Sequence, residues 1–469
     1  MLRIFNTETR TKEEISLSGG EDTLKMYTCG PTVYNYAHIG NFRAYVFEDL
    51  LRRSLKHFGF PLKQVMNLTD VEDKTILAAK EKGIPLAEHT QIYKDAFFED
   101  LKTLNVEPVE IYSPATDYIP EMITMIATLI EKGYAYQGKD GGVYYSIKTF
   151  PSYGRLSHLK LDTLQAGASE RVSDDEYDKE SASDFVLWKP YDEERDGAVF
   201  WESPFGKGRP GWHVECSAMA TKLLGETIDI HVGGVDNIFP HHENEIAQSE
   251  GCTGKHFVRH WIHAEHLIVN GKKMSKSLGN FYTLRDLLDK GYTGAEVRYL
   301  LLSIHYRTQL NFTFEGLEAS RQTLNRLREF IRRLRGANAP TGDYTKVLIE
   351  KARQTFNEAL SDDLNISAAL AALFDMIKPI NALIDASKIT SDEAQDVLAF
   401  LEELDAALGV LPLEEETLFV SGDVQEAFEK RQAARAAKDW SEADKQRDYI
   451  HSQGYQIEDS PEGSRVTKI

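Results

Sequence analysis

Residues 24–41, LKMYTCGPTVYNYAHIGN, decide the fold. The first of them, Leu24 to Gly30, have the character of a buried strand. A turn follows, and from His38 to about Phe58 apolar residues recur at helical spacing: Phe42, Val46 and Leu50 in one row, Phe47, Leu51 and Leu55 in the next. LKQVMNLTD (62–70) reads as the next strand. Strand, helix, strand predicts the α/β class, with a doubly wound, Rossmann-type parallel sheet. In such a sheet ligands bind outside the carboxyl ends of the strands, where the turn from Cys29 to Asn41 lies. A helix that opens there offers free backbone N–H groups and a favourable dipole to an anion, and Gly40 permits close approach. A lone His-x-Gly is equally a plain helix start.

At 469 residues the chain exceeds what one core supports. TIDIHVGGVD (227–236) resumes the buried-strand character, so the sheet is split in sequence, and between about 150 and 212 the pattern breaks into the clusters SDDEYDKE, YDEERDG and SPFGKGRPG. From about 315 onward the spacing is helical, with GANAPTGD (336–343) as a loop, and after LPLEEETLFVSGD come one last amphipathic helix and a short tail. The expected organisation is a Rossmann-type catalytic domain in two halves (1–121 and 213–250) around a connective insertion (122–212), a loop-bearing region (251–314), an α-helical bundle (315–412) and a small C-terminal domain (415–469).

The formal net charge of −20 argues against indiscriminate nucleic-acid binding, while local basic patches stay available to a partner. No apolar run approaches the roughly 20 residues of a membrane span. MLRIFNTETRTKEE lacks the apolar core of a secretory signal, and three widely spaced cysteines suit a reducing cytoplasm.

Against that acidic background, NGKKMSKSLGN (270–280) carries three lysines and no carboxylate. Asn270-Gly271 signals a two-residue hairpin, and Thr283 with Asp286 signals a helix start. On charge alone this is an exposed basic loop; it also suits phosphate charge that develops during a displacement. Cys29, Cys216 and the pair His241 and Glu245 in FPHHENEIAQS (239–249) form an adequate tetrahedral zinc set. On a helix His241 and Glu245 share a face, and His242 points roughly 100° away. Spacing alone fits two buried cysteines and a surface pair as well. The common position at the carboxyl edge of the sheet favours the metal, and Cys252 has no such company.

HIGN (38–41) followed by KMSKS (273–277) resembles the two signatures of class I aminoacyl-tRNA synthetases. With YTCGPTVY, NLTDVEDK, SDFVLWKP, GRPGWHVECSAM, FPHHENEIAQSE, HYRTQLNFT and AAKDWSEADKQRD, the chain is similar over essentially its whole length to the cysteinyl-tRNA synthetase family. The resemblance implies an ATP-dependent aminoacyl-tRNA ligase that makes cysteinyl adenylate and esterifies the 3′-terminal adenosine of tRNA(Cys). It implies one zinc ion per chain on Cys29, Cys216, His241 and Glu245, taking the substrate thiolate, and Mg²⁺ with ATP. Thr69 and Trp212 would line the cysteine pocket. His38, Gly40, Gly234, Asp236 and Lys276 would bind ATP, and His38, Asn41, Lys273 and Lys276 would act in catalysis. Arg435, Lys438, Asp439, Trp440 and Asp459 would meet the anticodon. The expected partners are ATP, L-cysteine and tRNA(Cys), with no membrane, and the chain is expected to be a monomer. The family's first signature commonly ends in histidine; Asn41 stands there in this chain, an amide that donates hydrogen bonds but takes no proton. Because a cation lowers the pKa of a thiol from about 8.5, and a serine hydroxyl is a harder, poorer ligand, no editing domain is expected. A ligase that joins activated cysteine to a sugar amine would share these motifs, but the last 50 or so residues argue against it.

Overall fold

The computed structural model describes residues 1–17, 22–159, 184–275, 278–414, 422–460 and 463–468. It forms two compact units, Met1–Leu411 and Pro412–Ile469. The first is built on five parallel strands, β1 (Leu24–Thr28), β2 (Leu62–Leu68), β3 (Ile111–Pro114), β4 (Ile228–Gly234) and β5 (Val258–Ala264), in the order β5-β4-β1-β2-β3. The chain runs outward from β1 to β3 and then restarts on the other side, so the order reverses between β1 and β4. Ligands of doubly wound sheets bind at this reversal. The N–H of Cys29 donates to Val232 O (3.2 Å), which extends the pairing one residue beyond β1 and sets the cysteine at the crevice.

Helix α1 (Ile39–His57) starts and stops where the residue spacing places it. Its first turn is a reciprocal cap: Asn41 N–H donates to His38 Nδ1 (3.1 Å), and His38 N–H donates to Asn41 Oδ1 (3.1 Å). Phe42, Val46 and Leu50 are buried, as the periodicity requires. Asp49 anchors the helix by accepting from Arg53 Nε (2.7 Å), Arg298 Nη2 (2.5 Å) and the N–H of Glu107 (2.8 Å). Arg298, fully buried, also donates to the carbonyls of Leu104 (3.0 Å) and Leu408 (3.0 Å). One guanidinium thus fixes the catalytic-side helix against the end of the helical bundle.

The insertion contains a four-stranded antiparallel sheet, Ala135–Gln137, Val143–Tyr145, Phe185–Pro190 and Gly208–Pro210. The SDDEYDKE cluster lies outside the described residues. Within YDEERDG, Asp196 is buried; burial alone would raise its pKa, yet hydrogen bonds from Arg195, from the Asp192 backbone and from Arg209 hold it at about 2. Helices α2 (Trp212–Leu224) and α3 (Glu243–Thr253) bury Val214, Ala218, Met219, Ile246 and Ala247 in one core with Tyr27 and Ile228.

The cationic segment is the expected hairpin: Asn270 (φ 49°) and Gly271 (φ 72°) are both left-handed, and Val269 faces Lys272. Thr283 and Asp286 cap the helix Leu284–Leu288. The bundle consists of α4 (Phe314–Arg335), α5 (Thr345–Ser361), α6 (Ile366–Asp385) and α7 (Ser391–Leu408). α6, at 20 residues, is by length and composition apolar enough to cross a membrane, which corrects the expectation that no run approaches that size. Its apolar face, including Leu370, Leu373, Met376 and Ile380, is buried in the bundle.

The second unit holds α8 (Gly422–Ala436), α9 (Trp440–Ser452) and an antiparallel hairpin, Tyr455–Ser460 with Gly463–Lys468. Two helices and a hairpin replace the one helix and tail expected. Lys438 turns left-handed (φ 59°) and Asp439 caps α9, which breaks the helical pattern, and Tyr455, Ile457 and Val466 pack on the core of Val424, Ala427 and Ile450.

Replacing Arg298 with Met leaves Asp49 buried with reduced compensation and lowers the unfolding free energy of the first unit by about 3–5 kcal/mol, read by urea denaturation. Asp196 has a depressed carboxylate pKa, so its contribution is complete above about pH 4 and is lost as pH falls through about 2. Asp196→Asn therefore flattens the acid limb of the stability profile over that window.

Candidate metal centre and active site

Three separate stretches of chain deliver the four proposed ligands. Cys29 ends β1, Cys216 lies in the second turn of α2, and His241 and Glu245 flank the start of α3. Their ligand atoms all lie within 4.8 Å of one another. Cys216, His241 and Glu245 are buried, whereas Cys29 is half-buried at the cavity wall.

The chemistry of the set calls for a cation. Glu245 Oε1 is buried without a well-formed hydrogen bond and stands 3.1 Å from His241 Nε2. Burial would raise the Glu245 pKa, but His231 and His241 hold it at about 2, so the carboxylate is anionic. A hydrogen bond from Cys29 lowers Cys216 to about 6 against burial, and the same contact drives Cys29 well up. Burial opposes charge on His241, yet Glu245 and Cys216 lift it to about 10. The imidazole supplies positive charge to the cluster, a role that a bound divalent ion would take over.

The ligands are oriented by groups behind them. Glu245 Oε2 meets His231 Nε2 at 3.0 Å, His241 Nδ1 meets His213 Nδ1 at 2.9 Å, and the His241 ring stacks on Trp212 (4.2 Å between centroids, 22°). Burial keeps His213 well below the usual histidine range, so it faces His241 as a neutral ring.

His242 corrects the helical-wheel expectation. The turn Ile238–His242 is not a regular helix, because Phe239 adopts extended angles (φ −137°, ψ 129°). The His242 ring lies in the same cluster, with Nε2 3.3 Å from Cys29 Sγ and Nδ1 2.8 Å from His263 Nε2. Gly233 makes room for it: a Cβ there would lie 2.7 Å from His242 Cε1. Cys29, His231, His242 and Glu245 form a second set within 4.8 Å that shares two members with the first. The residues missed from sequence, His213, His231, His242 and His263, had one available signal: His231 sits between Ile230 and Val232, and His263 between Ile262 and Ala264, inside buried strands.

Cys29, Cys216 and His241 line a cavity of about 740 Å³ whose lining also includes His38, Gly40, Asp236 and Lys273. His38 accepts the Asn41 N–H at Nδ1, which leaves Nε2 available; burial lowers its pKa, so the ring is neutral at pH 7. A Cβ on Gly40 would lie 3.0 Å from the His38 ring and 3.1 Å from Met274 Cε, and one on Gly234 would lie 2.3 Å from Asp236 Oδ1. A larger side chain at either position would make His38, Met274 or Asp236 shift. Asn41 closes the cap and also lines the cavity. The hairpin is tied to the start of α1 by Ile39 N–H donating to Tyr282 O (2.9 Å) and by Phe281 edge-on to His38 (5.2 Å).

Lys276 lies outside the described residues. Thr69 is buried beside the cavity, with Oγ1 accepting from Asn67 Nδ2 (3.2 Å), and the wall there is formed by Asn67. In the second unit Arg435 ends α8, Lys438 and Asp439 form the link, and Trp440 opens α9 with 60% of its surface exposed. Asp459 belongs to the hairpin, and its side chain lies outside the described residues.

Residues 16–322 match the family described as tRNA synthetases class I (C) catalytic domain, and residues 355–412 match the DALR domain. The methionyl-tRNA synthetase of Mycobacterium tuberculosis in complex with methionyl-adenylate shares the fold, with a TM-score of 0.62 at 14% identity over 82% of this chain and 90% of that one. The chain is thus a member of the class I tRNA synthetases. Cysteine--tRNA ligase from Protochlamydia amoebophila is 60% identical over 468 residues, spanning all of this chain and 98% of the relative, and that from Chlamydia felis is 55% identical over 471 residues, spanning all of this chain and 98% of the relative. Within the class, the chain belongs to the cysteine--tRNA ligase family.

Metal analysis of the purified chain is expected to give about one divalent ion, with Cys216→Ser losing it and His231→Ala weakening its binding about 10–100-fold through the unsupported Glu245.

Proposed function

We propose that this chain activates L-cysteine with ATP, releasing pyrophosphate, and transfers the cysteinyl group from the adenylate to the 3′-terminal adenosine of tRNA(Cys). The observation that carries the reading is the common cavity, lined both by Cys29, Cys216 and His241 of the Cys, Cys, His, Glu cluster and by His38, Gly40 and Lys273. Cys29, Cys216, His241 and Glu245 would hold a zinc ion, which would supply a thiophilic Lewis acid for the substrate's thiolate.

The remaining work falls to the chain's own groups. The cysteine carboxylate attacks the α-phosphorus of ATP, carried as its Mg²⁺ complex, and the bond to pyrophosphate breaks. The N–H of Gly40 and the neutral His38 donate to the phosphates. Lys273 and Lys276 stabilise the charge that accumulates on the leaving pyrophosphate. Asp236 accepts from the ribose hydroxyls, with Gly40 and Gly234 allowing close approach. Trp212 closes the amino-acid pocket, with Thr69 supporting its wall through Asn67. Asn41 acts by holding the cap of α1 and hence the His38 ring. A terminal ribose hydroxyl of the tRNA then attacks the carbonyl carbon, and AMP leaves.

In the second unit, exposed Trp440 with Arg435, Lys438, Asp439 and Asp459 suits stacking and charge contacts to an unpaired anticodon. Three free cysteines suit a reducing cytoplasm.

Cysteine-dependent ATP–pyrophosphate exchange tests the reading. Cysteine is expected to exceed serine by about 10⁴-fold or more in kcat/KM, because serine leaves the site's soft ligand position unfilled. Lys273→Ala is expected to lower kcat by about 10²-fold. Absence of exchange with cysteine contradicts the proposal.

A further inference from the structure

Exposed side chains line the cavity from two sets of elements. Asp236, His266, Lys273 and Gln309 belong to the segments beyond β4 and β5, and the chemistry above uses two of them. Tyr34, Tyr36 and Lys74 belong to the turn between β1 and α1 and to the helix Asp73–Lys82 after β2, and nothing above uses them. Tyr34 and Tyr36 keep 37% and 40% of their surface open, yet neither is loosely placed. Tyr36 meets Tyr93 edge-on (5.2 Å between centroids, 82°), and the Arg285 guanidinium, paired with Glu99 (2.7 Å), stands 5.0 Å from its ring centre. The Tyr34 carbonyl lies 3.1 Å from His89 Nε2, and its turn is tied to Thr69 by the Val33 N–H donating to Thr69 O (3.0 Å) and the Thr69 N–H donating to Pro31 O (3.0 Å).

The same strip carries positive charge without a competing acid. Lys74 is exposed, and among the described residues no carboxylate pairs with its ammonium. The acids nearest in sequence are already engaged: Glu72 accepts the Lys74 N–H (2.8 Å), Asp73 pairs with Lys189 (2.5 Å) and Arg209, and Asp70 pairs with Lys94 (2.6 Å). Aromatic faces beside an unpaired cation make the composition that meets single-stranded nucleic acid, because rings stack on any base and cations meet the backbone. The strip also adjoins the residues given above to the amino-acid pocket. Thr69 is bonded to the Tyr34 turn, and it ends the strand that leads into the helix of Lys74.

We propose that Tyr34, Tyr36 and Lys74 form the entry surface for the single-stranded 3′ end of tRNA, with the rings stacking on its unpaired bases and the ammonium meeting a backbone phosphate. Rings set in advance by Tyr93, Arg285 and His89 lose little freedom when the strand arrives. The surface acts in the transfer step and not in activation. The inference rests on transfer to tRNA(Cys), as proposed above.

The test uses the full chain with zinc bound and compares two reactions: cysteine-dependent pyrophosphate exchange without tRNA, and charging of a full-length tRNA(Cys) transcript. Tyr34→Leu, Tyr36→Leu and Lys74→Gln are each expected to lower kcat/KM for tRNA in charging about tenfold, while exchange stays within about twofold. Tyr36→Phe keeps the ring face and holds charging within about twofold of wild type. In Lys74→Gln the slope of log kcat/KM for tRNA against log salt falls by about 0.7, the share of one phosphate on a single strand. The inference is overturned by exchange falling in parallel with charging, by charging unchanged in the Leu and Gln variants, or by Tyr36→Phe being as impaired as Tyr36→Leu. Should a Leu variant not fold, Lys74→Gln and its salt slope decide. Exchange without charging in the wild type keeps activation and overturns this inference. A wild type without cysteine-dependent exchange removes the proposed function, and this inference with it.

Discussion

The convergence of two thiols, an imidazole and a carboxylate within 4.8 Å depends on one feature of the sheet, the reversal of strand order between β1 and β4. Cys29 reaches the crevice only because its N–H continues the β1 pairing to Val232. His241 and Glu245 reach it because the chain leaving β4 turns irregularly before α3. Cys216 comes from α2, which packs beside α3 on the same core. The four ligands therefore come together only when three stretches of a single folded unit are in place. An anionic site of this kind is stable only when opposite charge is supplied from within, by His241, or from outside, by a metal.

The same crevice holds the other half of the chemistry through the start of α1. The reciprocal cap between His38 and Asn41 engages the backbone N–H of each residue and sets the imidazole by its Nδ1. An amide at position 41 closes that cap through Oδ1 without adding charge, which gives the departure from the commoner histidine a structural role. Because the segment after the lysine hairpin bonds directly to Ile39, the cationic loop and the helix start are mechanically one object. Their shared anchor is deeper, where Arg298 and Asp49 tie α1 to the end of the bundle.

Much of this was legible in the residues. α1 was readable to within a residue because its apolar rows and its ends are both explicit, and the Asn270-Gly271 turn because few other pairs tolerate two left-handed positions. The metal set was not legible from spacing, since Cys29 and Cys216 are distant in sequence; the sheet edge and the family resemblance brought them together. His242, about 100° round the helix from His241, still reaches the cluster, because a second set of ligand groups from Cys29 and His231 stands on that side. His231 and His263 were missed because histidine within an apolar strand reads as core unless the cluster is in view. The C-terminal hairpin was taken for a tail because its few apolar residues gain meaning only against α8 and α9.

The central claim is that Cys29, Cys216, His241 and Glu245 bind one zinc ion together and that the substrate's sulfur joins them. X-ray absorption at the zinc edge of the purified chain, recorded with and without L-cysteine, tests it most directly. The account predicts about two sulfur ligands at roughly 2.3 Å in the free protein and about three once cysteine is bound, with no such gain on adding serine. A first shell without sulfur, or a sulfur count that cysteine leaves unchanged, would contradict it.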